Sequence, residues 1–176
     1  MGCHTWTYVH IPEEADKWAQ EYKDTCIKEM EEVSTYDGST AEEIKRAKEL
    51  EELVKNTSVK DIPKFLEEKQ KDDGCYNLLI ECVEVSDDYG LFEIHNGKIY
   101  RDPHNLGIED GYHDIFRIHD YDAQPCYSLE ETLKRCEEYK VDWDERSKYY
   151  PDVIVNDKKL LYEFWERFPD SIIEFG

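Results

Sequence analysis

Apolar and polar residues alternate from the start of the chain. "HTWTYVHI" puts His4, Trp6, Tyr8 and His10 on one side of an extended strand and Thr5, Thr7 and Val9 on the other. The large aromatic side chains suggest that the Trp6/Tyr8 face packs under helices. The period changes at Pro12, which suits a first helical turn, with Glu13, Glu14 and Asp16 near the positive end of the dipole. Ala15, Trp18, Tyr22, Cys26, Met30 and Val33 recur at helical spacing and predict a helix over 12–33. "STYDGST" breaks it. Ser39 and Glu42 have capping-box spacing and open a second helix to about Lys55, with Ile44, Ala47, Leu50, Leu53 and Val54 inward. Pro63 opens a third helix, to about Lys71. Residues 40–73 are mixed in charge, as a solvated helical hairpin is.

Beyond "DDG" the pattern in 75–85 fits a helix better than a strand, although its β-branched end favours a strand. "LFEIHNGKIYR" reads as a β-hairpin turning at Asn96-Gly97, because a type I′ turn needs positive φ at both central residues. Strand alternation returns in "YHDIFRIHDY", over 112–120. Ser128 and Glu131 form another capping pair, opening a helix to about Tyr139. A further helix begins near residue 157, ends before Pro169, and is followed by a last strand in "SIIEFG". The pattern predicts one α+β domain spanning 1–176. Its small, mostly antiparallel sheet comprises the N-terminal strand, the central hairpin, strand 112–120 and the C-terminal strand. Helices pack on one side, and 39–72 form a helical hairpin insertion.

Composition narrows the function. The net charge is −21, spread over both halves of the chain. Such a body repels phosphate backbones, which argues against DNA or RNA as a ligand and favours a partner protein with a basic surface. No run of eighteen apolar residues predicts a membrane span. The start lacks a basic region before an apolar core, so no secretory signal is expected, and Trp6 stands where a myristoylation motif needs Ser or Thr. The six cysteines contain no C-x-x-C pair and are expected to be free thiols in a reducing cytoplasm.

Four stretches, "MGCHTW", "YHDIFR", "SLEETL" and "FPDSIIEFG", resemble small proteins encoded by tailed bacteriophages and prophages. They cover roughly a sixth of the chain and leave 12–88 unmatched. The resemblance implies a viral source and an accessory role in the host cytoplasm. It carries no catalytic residues.

Three places could hold chemistry. Cys3 and His4 are a candidate metal pair: with Met1 removed, amine, backbone nitrogens and imidazole could chelate Cu(II) or Ni(II) in a square plane. The competing reading makes Cys3 a small buried hydrophobe and His4 a local hydrogen-bonder. On strand 112–120, His113, Arg117 and His119 share a face that could grip an anion, with Arg117 as the bidentate fork. Against this, Phe116 and Ile118 could face the core while the basic residues line a wet face. Asp120, Asp122, Gln124 and Glu131 mimic EF-hand spacing, but Pro125 stands where that loop needs glycine. Cys126 with His113 or His119 is a conceivable nucleophile pair with no supporting pattern, and Cys26, Cys82 and Cys136 read as core. No P-loop, nucleophile-elbow or zincin motif occurs.

These observations favour an acidic interaction protein that blocks or redirects a host component, as an anti-defence factor would, with no resident cofactor. The alternative is a small-ligand protein that sequesters an anionic nucleotide signal, or hydrolyses it with a divalent transition metal.

Overall fold

The computed structural model describes residues 5–72, 92–107, 125–141 and 157–175. Strand 112–120, the 75–85 segment, Cys3 and His4 lie outside them. The fold is α+β, with antiparallel pairing throughout the described strands. The chain divides into two compact units, one built from 1–11 with 101–176 and the other from 12–100.

The first unit is organised on a ladder between β1 (Thr5–Tyr8) and β4 (Ile172–Phe175). Thr7 faces Ile173, Trp6 faces Glu174, and the bridges Val9–Arg101 and Cys126–Ile173 widen the ladder on both sides. Helix α4 (Leu129–Glu138) and helix α5 (Asp157–Arg167) pack together in the same unit. The core joins Val9, Cys126, Ile173 and Phe175 to Cys136 of α4 and Leu161, Phe164 and Trp165 of α5. Phe164 meets Trp165 edge-on, with ring centroids 5.4 Å apart. Ser128 caps α4 by accepting the Glu131 N–H at 3.2 Å. The Glu131 carboxylate accepts the N–H of Tyr127, one residue earlier than a capping box requires, at 2.6 Å.

This ladder corrects the predicted strand faces. Thr7 and Val9 are buried, whereas Trp6 is 39% exposed. Residues directly opposite each other share a face, so Thr7 points with Ile173 into this core, and Trp6 lies with the half-buried Glu174 on the other face, where Tyr8 meets the buried Ile172. Each face of the ladder carries a buried β4 residue, Ile172 on one and Ile173 on the other, and register sets Trp6 opposite Glu174 rather than opposite either of them. Burial also raises the Glu174 carboxyl above its ordinary pKa.

The second unit is organised on α1 (Pro12–Thr35), which packs against α2 (Ala41–Asn56), α3 (Ile62–Asp72) and β3 (Lys98–Tyr100). α1 buries Trp18, Ala19, Tyr22, Cys26 and Met30, close to the predicted stripe, and α2 buries Ala47, Leu50 and Val54. Leu53, predicted inward, is 46% exposed. The capping box of α2 sits one residue later than predicted. Thr40 accepts the Glu43 N–H at 3.2 Å and Glu43 accepts the Thr40 N–H at 2.6 Å. Ser39 is occupied elsewhere, its hydroxyl donating at 2.7 Å to the Val33 carbonyl near the end of α1. At the other end of α2, the Lys23 ammonium donates to the carbonyls of Lys55 (3.0 Å) and Thr57 (2.6 Å), placing a positive charge at the negative end of the dipole.

The hairpin forms as predicted. β2 (Glu93–His95) pairs with β3, and Asn96 (φ 52°) and Gly97 (φ 69°) supply the left-handed turn. The Glu67 carboxylate of α3 accepts the N–H of Asn96 at 2.9 Å and of Gly97 at 2.6 Å. A short hairpin is marginal alone, and this charge-assisted pair fixes it to the helix. Among the described residues no helix is long and apolar enough to cross a membrane.

Two aromatic truncations on the first ladder separate its faces. Trp6→Ala is expected to cost about 1 kcal/mol and Phe175→Ala about 3–5 kcal/mol, read from urea unfolding. The reverse order would return the face assignment to the aromatic side.

Candidate functional site

Helix α4 ends without glycine. Lys140 takes the left-handed conformation (φ 52°) that glycine usually fills. Its N–H bonds the Glu137 carbonyl at 3.0 Å and the Val141 N–H bonds the Cys136 carbonyl at 3.0 Å, the two bonds of a Schellman motif. A lysine there costs roughly 1 kcal/mol against glycine, partly offset by its charge at the helix C-terminus.

That turn forms one wall of a groove of about 480 Å³. Leu133 and Cys136 of α4 contribute to the lining with Val141, and Lys158 and Tyr162 of α5 join Lys140 and Glu137. Lys158 and Tyr162 are four residues apart and so share a helix face. Cys136 is 2% exposed and Tyr162 is 45% exposed, so the lining runs from buried apolar atoms to an amphipathic edge. The lysines of this unit differ in what they meet. Lys134 lies 4.0 Å from Glu138 and Lys159 lies 3.4 Å from Glu163, each one helical turn away. Lys140 and Lys158 have no carboxylate partner among the described residues. Two lysines that no described carboxylate engages line one partly apolar groove in a chain of net charge −21.

Of the sequence candidates, His113, Arg117, His119, Cys3 and His4 lie outside the described residues. Cys126 lies within them, 2% exposed, bridged to Ile173 and part of the core. Cys26 and Cys136 are also buried and, like Cys126, form no disulfide, and burial, then the Glu29 charge, pushes the Cys26 thiol up to about 12. Among the described residues no cluster of three His, Cys, Asp or Glu side chains could hold a metal ion. Sequence reading missed the groove. Its one legible sign was "EEYKVDW", where a helix stops without glycine. No family model, curated protein or solved structure matches the chain.

A titratable cluster sits at the hairpin. His95 is partly buried, 3.7 Å from Glu93, and edge-on to Tyr100 at 5.9 Å between centroids. Burial lowers its pKa below 6.5, and the Glu67 charge opposes that shift without cancelling it. The unfolded chain therefore binds the proton more readily than the folded one. The His95 contribution is complete above pH 6.5 and is lost as pH falls through the folded value. Urea midpoints at pH 7.5 and 5.5 are expected to drop more for the native chain than for His95→Gln. Equal drops would contradict the assignment.

Proposed function

We propose that the protein is an accessory factor of a bacterial virus that works by docking on a basic surface of a host protein, in the host cytoplasm, and so blocks or redirects it. An anti-defence role fits that action. The net charge of −21 supports the reading, and one local feature carries it. The last turn of α1 holds no basic residue, although basic residues are favoured at that end of the dipole. Glu32 lies in that turn with Glu29 and Glu31 just before it, and burial, then the Glu32 charge, raises the Glu29 carboxyl above its ordinary pKa. The ion pairs that Lys28 makes with Glu32 and Lys55 with Glu31, each 3.6 Å long and exposed, offset little of this.

Beyond that turn, Tyr36 is 70% exposed and is followed by the exposed Asp37, and Glu42 is exposed in the first turn of α2. An exposed tyrosine among carboxylates supplies the aromatic anchor and the complementary rim of a docking face. A basic partner would relieve the repulsion that the free helix end carries, and phosphate-binding surfaces of host proteins have the matching charge.

The test is capture from bacterial lysate on the immobilised protein at about 50 mM and 500 mM salt. A host protein should be retained at low salt and released at high salt. The triple variant Glu32→Lys, Tyr36→Ser, Asp37→Lys should lose it while melting no lower than the native chain, since Glu32→Lys improves the helix end. Capture undiminished in the variant or at high salt, or no capture at all, would refute the docking face.

A further inference from the structure

Apart from the acidic face, the groove between α4 and α5 combines three features. It has an apolar lining in Leu133, Cys136 and Val141. It has two lysines, Lys140 and Lys158, that no described carboxylate engages. One of them is held in a backbone conformation that a lysine adopts at a cost. Its volume of about 480 Å³ lies in the range of small-molecule sites, which are largely apolar with a few placed polar groups. From these features we propose that the groove binds a small amphiphilic monoanion, an organic carboxylate on an apolar body of about eight carbons.

Charge sets the head group. Among the described lining residues, two ammoniums and the Glu137 carboxylate leave one net positive charge, which balances one negative charge. A carboxylate between Lys140 and Lys158 would replace water with charge-assisted hydrogen bonds. The apolar body would lie on Leu133 and Val141 and against the Tyr162 ring, where it removes apolar surface from water. The left-handed Lys140 places a charged side chain at this turn, where glycine would relax the backbone and leave no cation. Strain kept at a position that lines a groove is what a binding role would retain.

The probes are octanoate, octan-1-ol and octylamine at pH 7, titrated by calorimetry with amide NMR shifts to locate the site. Octanoate should bind about tenfold more tightly than the alcohol, and the amine should not bind. Shifts should centre on Leu133, Val141 and Tyr162. Lys158→Gln should remove the preference for the acid over the alcohol. Lys140→Gly should remove it too while raising Tm by about 2–4 °C, so that lost binding cannot be ascribed to a damaged fold. Equal affinity for acid and alcohol, shifts centred elsewhere, or full octanoate binding by Lys140→Gly would overturn the proposal.

Discussion

The first unit depends on one pairing. β1 and β4 are separated by more than 160 residues of chain, and their ladder sets which of their side chains enter the core of that unit. Ile173 is its pivot. On one side it faces Thr7, and on the other it exchanges both backbone hydrogen bonds with Cys126, at 2.7 and 3.0 Å. Val9 and Arg101 exchange another pair, at 2.8 and 2.9 Å. Closing so long a loop is entropically costly, and the buried apolar surface of Phe164, Trp165, Phe168 and Phe175 offsets it. The core is not wholly satisfied. Thr7 Oγ1 and Trp165 Nε1 are buried with no hydrogen-bond partner among the described residues, each a cost of about 1–3 kcal/mol. The α4–α5 groove inherits its geometry from this arrangement, because the core that receives β4 also receives Cys136 of α4 and Leu161 and Phe164 of α5.

The second unit relies on shorter-range devices. Its helices are joined by polar ties at their ends: Lys23 across to the end of α2, Ser39 back to α1, Thr40 with Glu43 within one turn, and Glu67 to the hairpin. Each tie satisfies backbone groups that a helix end or turn would otherwise leave to water. The end of α1 has its Ser39 tie but no basic residue in its last turn, and like charges gather near it, which is why the proposed docking face falls there.

Elements were more legible in the sequence than orientations. Helical periodicity located α1, α2, α3, α4 and α5 to within about two residues, and Asn96-Gly97 located the hairpin, because these signals are local. The capping residue of α2 shifted from Ser39 to Thr40 because two neighbouring hydroxyls compete, and only the structure shows that Ser39 is taken by Val33. The exposure of Trp6 was misread because alternation defines two faces without saying what covers each position; that depends on a partner strand far away in sequence. The groove was illegible for a similar reason. Lys140, Lys158 and Tyr162 form no motif along the chain, and they come together only when two helices pack.

If the β1–β4 ladder governs its unit, its amides should open only when the whole unit opens. Native-state hydrogen exchange on Val9, Arg101, Cys126 and Ile173 tests this directly. The account predicts that all four exchange with one common free energy, equal to that of the most protected amides in α5, and share its denaturant dependence. Rapid exchange at Ile173 and Val9 while α5 stays protected would show that the helices stand without the ladder, and would contradict the account.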